Sequence, residues 1–191
     1  MKKREISEIY LQNSKEWREW LEKNHDKVAG VYLIFYTVDH EMPSMRWEEA
    51  VMVALCFGWI DSTTYSLGNG KRRQYFTRRK SKSNWSAINK SYIDRLLADG
   101  LMHESGMNAI AIAKENGSWN SFDDVEKGII PEDLKSAFKK HPEAFANYQN
   151  FAPSYRKSYL YWLQQAKRPA TRTNRLYEII DLCKRNIKSR Q

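Results

Sequence analysis

The sequence predicts an α+β fold, in which a small antiparallel β-sheet of about three strands packs against helices and the C-terminal half is helical. Residues 29–37 (AGVYLIFYT) are continuously aliphatic and aromatic, which is typical of a strand buried on both faces. Asn69-Gly70 is a type I′ turn signal between two segments of strand-forming residues. Beyond residue 83 the apolar residues recur at helical spacing, and glycine or proline interrupts the pattern.

The elements follow in order along the chain. Asn13 is a suitable N-cap for a first helix, and residues 29–37 form the central strand. Apolar residues at helical spacing predict a second helix over 47–57, which Gly58 ends. A hairpin with arms 59–67 and 72–79 comes next. Six later helices are predicted: from Ser83 or Asn84 to Gly100, from about Ser105 to Asn116, and four that begin near Pro131, Pro142, Pro153 and Pro169.

The chain has 191 residues, enough for one medium domain with a well-buried core. A Gly-, Ser-, Asn- and Asp-rich stretch from Gly117 to Asp124 indicates a boundary. It divides the chain into an α+β region with a basic hairpin, residues 1–117, and a helical region, residues 118–191. The alternative is one continuous fold across this stretch.

Features of the sequence favour a cytoplasmic location. No segment approaches the ~18 apolar residues of a membrane span. The opening MKKREISEIYLQNSKEW begins with basic residues, but neither an apolar run nor a small-residue cleavage site follows them, so no export signal is expected. Cys56 and Cys183 each lie in an apolar helical pattern, and two cysteines are too few for a disulfide framework or a zinc site. Both thiols are therefore expected to be reduced and buried.

The positive charge is unevenly distributed. Residues 62–93 contain eight Lys or Arg and no Asp or Glu, and residues 156–191 contain ten Lys or Arg against two acidic residues. Because the whole chain carries +9, the remaining residues together carry −7. Two basic surfaces on an acidic body are typical of anion binding. Solubilising faces of a hairpin and of terminal helices are the alternative interpretation.

The hairpin itself contains a candidate ion pair. If Asn69-Gly70 is a two-residue loop, Gly68 pairs with Lys71, and regular pairing then sets Asp61 opposite Arg78. The alternation of side chains places Asp61 on the more apolar face, where a carboxylate needs a partner. Asp61 and Arg78 are thus predicted either to fix the strand register or to form the floor of a ligand pocket.

The segment that follows the hairpin is the stronger candidate for ligand binding. Lys80 and Lys82 alternate with serines up to a predicted helix start near Asn84, where free backbone N–H groups favour phosphate or carboxylate. Trp85 either stacks on a ring of the ligand or packs as a staple onto the core. Arg168 and Arg172, on either side of Pro169, form a second basic point, which is interpreted as a solvated helix junction.

No motif indicates catalysis, a metal site or a cofactor. The four histidines, at positions 25, 40, 103 and 141, have no metal-ligand spacing and no triad partner close in sequence. Phosphate-binding glycine-rich loops and a nucleophile elbow are absent from the sequence. We therefore assign no catalytic residue, no metal and no cofactor.

Three segments resemble a known family. AVMVALCFGWIDS (50–62), FTRRKSKSNWSAINK (76–90) and AKRPATR (166–172) are similar to hallmark segments of the bacteriocin-protection, YdeI/OmpD-associated family of bacterial proteins. The helical part from about Phe122 to Ile187 is similar to the domain that gives the family its name. The resemblance implies a bacterial protein with an α+β core, associated with resistance to antimicrobial peptides and without an established reaction.

The sequence predicts a stress- or envelope-defence-associated protein that binds an anionic ligand or partner through the loop between the hairpin and the helix. Its predicted ligand-binding residues are Asp61, Arg78, Lys80, Lys82, Asn84 and Trp85. Nucleic-acid binding and catalysis on a small anionic metabolite are the alternatives. A chain of charge +9 repels cationic peptides, so any protective role is expected to be indirect.

Overall fold

The sheet has four strands in the order β1-β2-β4-β3, and the predicted α+β fold with a helical C-terminal half is confirmed. The computed structural model describes residues 6–190. Strand β1 runs parallel to β2, and the other neighbours are antiparallel. The strands are β1 (Glu8–Tyr10), β2 (Gly30–Tyr36), β3 (Trp59–Gly68) and β4 (Lys71–Arg78). The sequence did not predict β1, because three residues carry too little alternation to be recognised.

Helices make up most of the remaining described residues. Asn13 caps α1 as predicted, with its side chain accepting a hydrogen bond from the Glu16 N–H at 3.0 Å, and Gly58 follows α2 in the left-handed conformation (φ +72°). A 3₁₀ turn covers Ser118–Asn120. The helices are α1 (Ser14–Asn24), α2 (Trp47–Cys56), α3 (Ala87–Ala98), α4 (Glu104–Glu115), α5 (Asp123–Glu126), α6 (Glu132–Lys139), α7 (Pro142–Asn150), α8 (Pro153–Gln164) and α9 (Pro169–Lys184).

The chain forms two units, one up to Trp119 and one from Asn120 onward. The predicted division into an α+β domain, residues 1–117, and a helical region, residues 118–191, stays a prediction. In the first unit, α1 to α4 and one face of the sheet enclose a core whose largest members are aromatic. Trp17 donates its indole N–H to the carbonyl of Ala50 at 3.0 Å, and its ring meets Trp59 and Phe76 edge-on. These contacts fix α1 and α2 against the sheet.

The hairpin register differs from the predicted one. Gly68 pairs with Lys71 as expected, but two β-bulges in β3 move Asp61 opposite Phe76 and Trp59 opposite Arg78. Strand β3 has 10 residues and β4 has 8, so each bulge adds one unpaired residue to β3. The predicted cross-strand pair of Asp61 and Arg78 is therefore wrong. Residues 62–68 of β3 are exposed, so no buried side chain holds that strand in regular register.

The second unit is a helical bundle around its own core. Tyr148, Tyr159 and Leu163 are among the buried residues of this core. Arg172 binds Asp133 through two hydrogen bonds, with Nε at 2.5 Å from Oδ2 and Nη2 at 3.0 Å from Oδ1. Arg172 is thus part of an ion pair between α9 and α6 and does not form a solvated basic point with Arg168.

Both cysteines are free and buried, as predicted. Between residues 6 and 190, every helix is too short or too polar to cross a membrane.

Candidate functional site

Asp61 binds neutral partners and not an arginine. Its Oδ2 atom accepts a hydrogen bond from the indole N–H of Trp47 at 3.0 Å and another from the side-chain amide of Gln74. Gln74 is one of two buried polar residues in the described chain, so Asp61 supplies the acceptor that its amide requires. Sequence reasoning was right that this carboxylate needs a partner, but the partners come from α2 and from Gln74 of β4.

Four other predicted site residues lie in or near the loop after β4, and all four are exposed. Arg78 ends β4. In the loop, the backbone N–H of Lys80 donates to the Ser83 hydroxyl at 3.0 Å, which closes a turn. Lys82 and Asn84 follow this turn.

The helix start predicted near Asn84 is wrong. Helix α3 begins at Ala87, and its N-cap is Ser86, whose hydroxyl accepts from the Asn89 N–H at 3.3 Å. The free N–H groups of this helix therefore lie further along the chain than the sequence suggested. Ser86 caps α3 in place of Ser83 or Asn84 because residues 80–83 already form a hydrogen-bonded turn.

Trp85 packs into the core and does not form a stacking platform for a ligand. Its side chain is 2 % exposed, and its ring lies against Trp119, with 4.9 Å between the ring centroids. The sequence left open whether Trp85 stacks on a ligand or packs onto the core, and the structure supports packing onto the core.

The central cation of this region is Arg79, which sequence reasoning did not select. Its guanidinium carbon lies 3.6 Å from the ring centroid of Trp85, and its Nη1 donates to the carbonyl of Asn84 at 3.0 Å. Its Nε and Nη2 atoms are inaccessible to solvent and have no hydrogen-bond partner among the described residues. Burial lowers the pKa of Arg79 to about 10, and the nearby charge of Asp61 opposes this effect. The group thus remains charged at neutral pH.

Arg79 lines a cavity of about 280 Å³ in the first unit. Arg78 and Lys80 lie beside it, and α4 contributes Ser105 and Asn108 to the opposite wall. Among the described residues, Asp26 is the one carboxylate in the lining, and its side chain is exposed. A partly buried positive charge in the wall of a half-open cavity of this size favours a small anion.

Two glycines allow α4 to form this wall. A Cβ atom on Gly106 would lie 2.1 Å from the carbonyl oxygen of Cys56, and one on Gly58 would lie 2.9 Å from the Cβ of Ala109. Side chains at these positions would push α4 away from the end of α2. The glycines therefore set the distance between α4 and the loop that carries Arg79.

The polar groups around the cavity include a serine and two histidines. The Ser105 hydroxyl lies 3.1 Å from the carbonyl of Phe57 and 2.8 Å from Nδ1 of His103, which also accepts from the Ser105 backbone N–H. His25 and His103 pack against each other with ring centroids 4.8 Å apart, and His25 lies 2.9 Å from the Leu21 carbonyl through Nδ1. Within residues 6–190, no group of three or more His, Cys, Asp or Glu is placed to hold a metal ion.

Two family models match the chain. The model described as a domain of unknown function (DUF8412) matches residues 9–109, which is more than half of the chain. The model described as "Bacteriocin-protection, YdeI or OmpD-Associated" matches residues 127–186, so the predicted resemblance is confirmed for the helical region. Of the three segments that suggested it, only 166–172 lies inside this match, while 50–62 and 76–90 lie in the part matched by the first model. No curated protein and no solved structure matches the chain.

Proposed function

The chain belongs to the DUF8412 family, and we propose that it binds a small oxyanion, or the phosphate or carboxylate group of a small ligand, in the cavity lined by Arg79. The binding role predicted for the loop after β4 is kept, but its centre moves to Arg79 from the predicted set of Arg78, Lys80, Lys82 and the helix start at Asn84. Arg78 and Lys80 attract the anion at the rim, Lys82 adds to the positive field, and Asn84 and Trp85 hold the Arg79 guanidinium in place.

The observation that carries the proposal is the buried and incompletely paired guanidinium. A buried charged group without hydrogen-bond acceptors lowers the stability of the folded protein by roughly several kcal/mol. Groups of this kind are therefore concentrated at functional sites. Asp61 is the carboxylate whose charge acts on Arg79, but its Oδ2 atom already accepts hydrogen bonds from Trp47 and Gln74. An oxyanion in the cavity would place negative charge beside this guanidinium, although its Nε and Nη2 atoms themselves have no solvent-accessible surface.

The second family match supplies the biological context. Its printed description is bacteriocin protection, and we extend that association to this chain. A chain of charge +9 repels a cationic bacteriocin, so protection would follow from binding an anionic metabolite and not from capturing the peptide. We place this activity in the cytoplasm, since a reducing compartment suits the two free, buried cysteines.

Isothermal titration of the full chain with inorganic phosphate tests the site. We expect saturable binding, weakened at least about tenfold in Arg79→Met. Lys82→Ala removes a charge that lies outside the cavity lining and should weaken binding by about twofold or less. Arg95→Gln is the control variant, because Arg95 is an exposed arginine of α3 that lies outside the lining and pairs with Asp99 at the end of its own helix. Equal phosphate affinity in the wild type and Arg79→Met would refute the proposal.

Nucleic-acid binding is the second candidate, favoured by the exposure of Arg78, Lys80 and Lys82 in a stretch without acidic residues. Salt dependence separates the two. For a short single-stranded oligonucleotide that contacts these cations, the logarithm of the binding constant falls with the logarithm of the salt concentration. Removing one cation should make the slope of this plot shallower by about one. Phosphate in the cavity should show a large loss of affinity in Arg79→Met with little change in slope.

A further inference from the structure

A second cavity lies in the first unit at the opposite end of the hairpin. It is an open cleft of about 640 Å³ between the loop after β2, residues 37–46, and the turn at Asn69-Gly70. The volume falls in the range of small-molecule sites. Residues 35–72 provide the whole lining, and it shares no residue with the cavity of Arg79.

The charged residues of this cleft are all positive. Arg46, Lys71 and Arg72 line it, and the described residues of its lining include no Asp or Glu. Asp39 and Glu41 belong to the same loop but are not among the residues that line the cleft. None of the three cations forms an ion pair with another described residue, and the carboxylate closest to them by hydrogen bonding is that of Glu49, which accepts from the backbone N–H of Arg46 at 2.7 Å. The cleft therefore presents a positive field to an incoming ligand.

The other lining residues are both polar and apolar, and some of the apolar ones are accessible. Trp47 is 36 % exposed, Met42 is 39 % exposed and Val38 is 68 % exposed. Phe35 also lines the cleft and is buried. An accessible tryptophan and methionine beside uncompensated cations suit a ligand that is both apolar and anionic.

The walls of the cleft are held in position without a ligand. Arg72 lies over the Phe35 ring, with 5.3 Å between the guanidinium carbon and the ring centroid, and Thr37 donates its backbone N–H to the Gly70 carbonyl at 2.8 Å. A Cβ on Gly70 would lie 2.6 Å from the Thr37 hydroxyl, so only glycine allows the turn to approach the loop this closely. Because Arg72 and the loop of residues 37–46 are already ordered, they lose little conformational entropy when a ligand binds.

We propose that this cleft binds an organic anion with an aliphatic or aromatic body. The carboxylate, sulfonate or phosphate group of the ligand contacts Arg72 and Arg46, and its body packs on Trp47 and Met42. This site is independent of the cavity of Arg79, because the two linings share no side chain and lie at opposite ends of β4.

Fluorescence titration of the full chain with the aryl sulfonate 8-anilinonaphthalene-1-sulfonate tests the proposal at neutral pH. We expect saturable binding with enhanced emission, weakened about tenfold in Arg72→Gln and unchanged in Arg95→Gln, which removes one exposed arginine elsewhere. Ser66→Trp, at a lining position that is exposed, should block binding without changing charge. Thermal melting of each variant checks that the dye reports the folded protein.

Competition identifies the ligand class. Octanoate should displace the dye, while octanol, which lacks the charge, and inorganic phosphate, which lacks the apolar body, should displace it at least about tenfold less well. Arg79→Met should leave dye binding unchanged. A negative result for this cleft would therefore not count against phosphate binding in the cavity of Arg79, and the reverse also holds. Equal dye affinity in Arg72→Gln and Arg95→Gln, or equal displacement by octanol and octanoate, would overturn the assignment.

Discussion

Arg79 lies over the ring of Trp85, with its guanidinium carbon 3.6 Å from the ring centroid. Stacking of this kind contributes about 0.5–2 kcal/mol and leaves the edge of the guanidinium free to donate hydrogen bonds in its own plane. Trp85 is itself buried against Trp119, so the stack fixes the cation to the core of the first unit. The loop therefore carries a charge whose position is set by packing.

Arg79→Met should leave the free energy of unfolding unchanged or raise it. Methionine keeps contact with Trp85 and removes two buried donors that have no acceptor among the described residues. Arg79→Ala also loses the packing and should cost about 1–2 kcal/mol. Urea unfolding of both variants measures the difference, and an equal loss in the two would show that the charge itself stabilises the fold.

Asp61→Leu should destabilise the chain by about 2–4 kcal/mol, because it leaves the amide of Gln74 and the indole N–H of Trp47 without their acceptor. Asp61→Asn keeps one acceptor oxygen and should cost less. Arg78→Ala should change stability by no more than about 0.5 kcal/mol, since Arg78 is exposed and does not pair with Asp61. Urea unfolding of the three variants gives these values, and a large loss in Arg78→Ala would show that Arg78 and Asp61 interact after all.

Gly106→Ala should cost roughly 2–3 kcal/mol, although alanine is the better helix former, because its Cβ would lie 2.1 Å from the backbone oxygen of Cys56. Gly117→Ala is the comparison: no described atom lies within 4 Å of the place that its Cβ would take, so only its φ of +78° opposes the change, at about 1 kcal/mol. Thermal or urea unfolding gives both values. The Gly106 variant should also weaken phosphate binding, since α4 forms one wall of the cavity.

Asp133→Asn should destabilise the second unit by about 1 kcal/mol at neutral pH, allowing for the partial exposure of both partners. The hydrogen bonds from Arg172 lower the pKa of Asp133 in the folded chain. The stabilisation is therefore complete above the unfolded pKa of about 3.9 and is lost as the pH falls through the lower folded value. The two proteins should converge in acid, whereas Glu132→Gln, in an exposed pair with Lys135, should differ little from wild type at any pH.

Both thiols should react with a thiol reagent only when the chain unfolds. Burial raises the pKa of Cys56, with partial opposition from Arg18, and raises that of Cys183 to about 12. Little thiolate is thus present at neutral pH, and both side chains are inaccessible. Labelling rates should follow the unfolding rate across urea concentrations. Rapid labelling of either residue in the native state would contradict this.

The sequence predicts elements whose signals are local. The turn at Asn69-Gly70, the strand at 30–36 and the end of α2 at Gly58 each depend on a few adjacent residues, and all three were correct. The register of β3 was not predictable in this way, because bulges arise where exposed side chains leave the pairing unconstrained. The start of α3 was displaced for a similar reason, since several adjacent residues are acceptable caps.

The candidate site was predicted as a segment but not as a residue. Eight cations in residues 62–93 identify a basic region, yet they do not reveal which of them is buried. Arg79 differs from Arg78 only in facing Trp85, and that follows from how the loop folds back on the core. The sequence allowed two interpretations of Trp85, because a tryptophan at the end of a loop can pack onto the protein core or remain exposed and stack on a ligand. Which of the two occurs depends on the neighbouring elements that cover it.

The two bulges in β3 also affect how readily this border of the sheet could pair with a strand of another molecule. Strand β3 forms one border of the sheet, where unpaired backbone groups would accept a strand from another molecule, and β1 limits the opposite border to three residues. Each bulge interrupts the regular row of donors and acceptors, and the outer part of β3 carries mainly serine and threonine. The irregularity that displaces Asp61 from Arg78 therefore makes this border a poor template for amyloid-like growth.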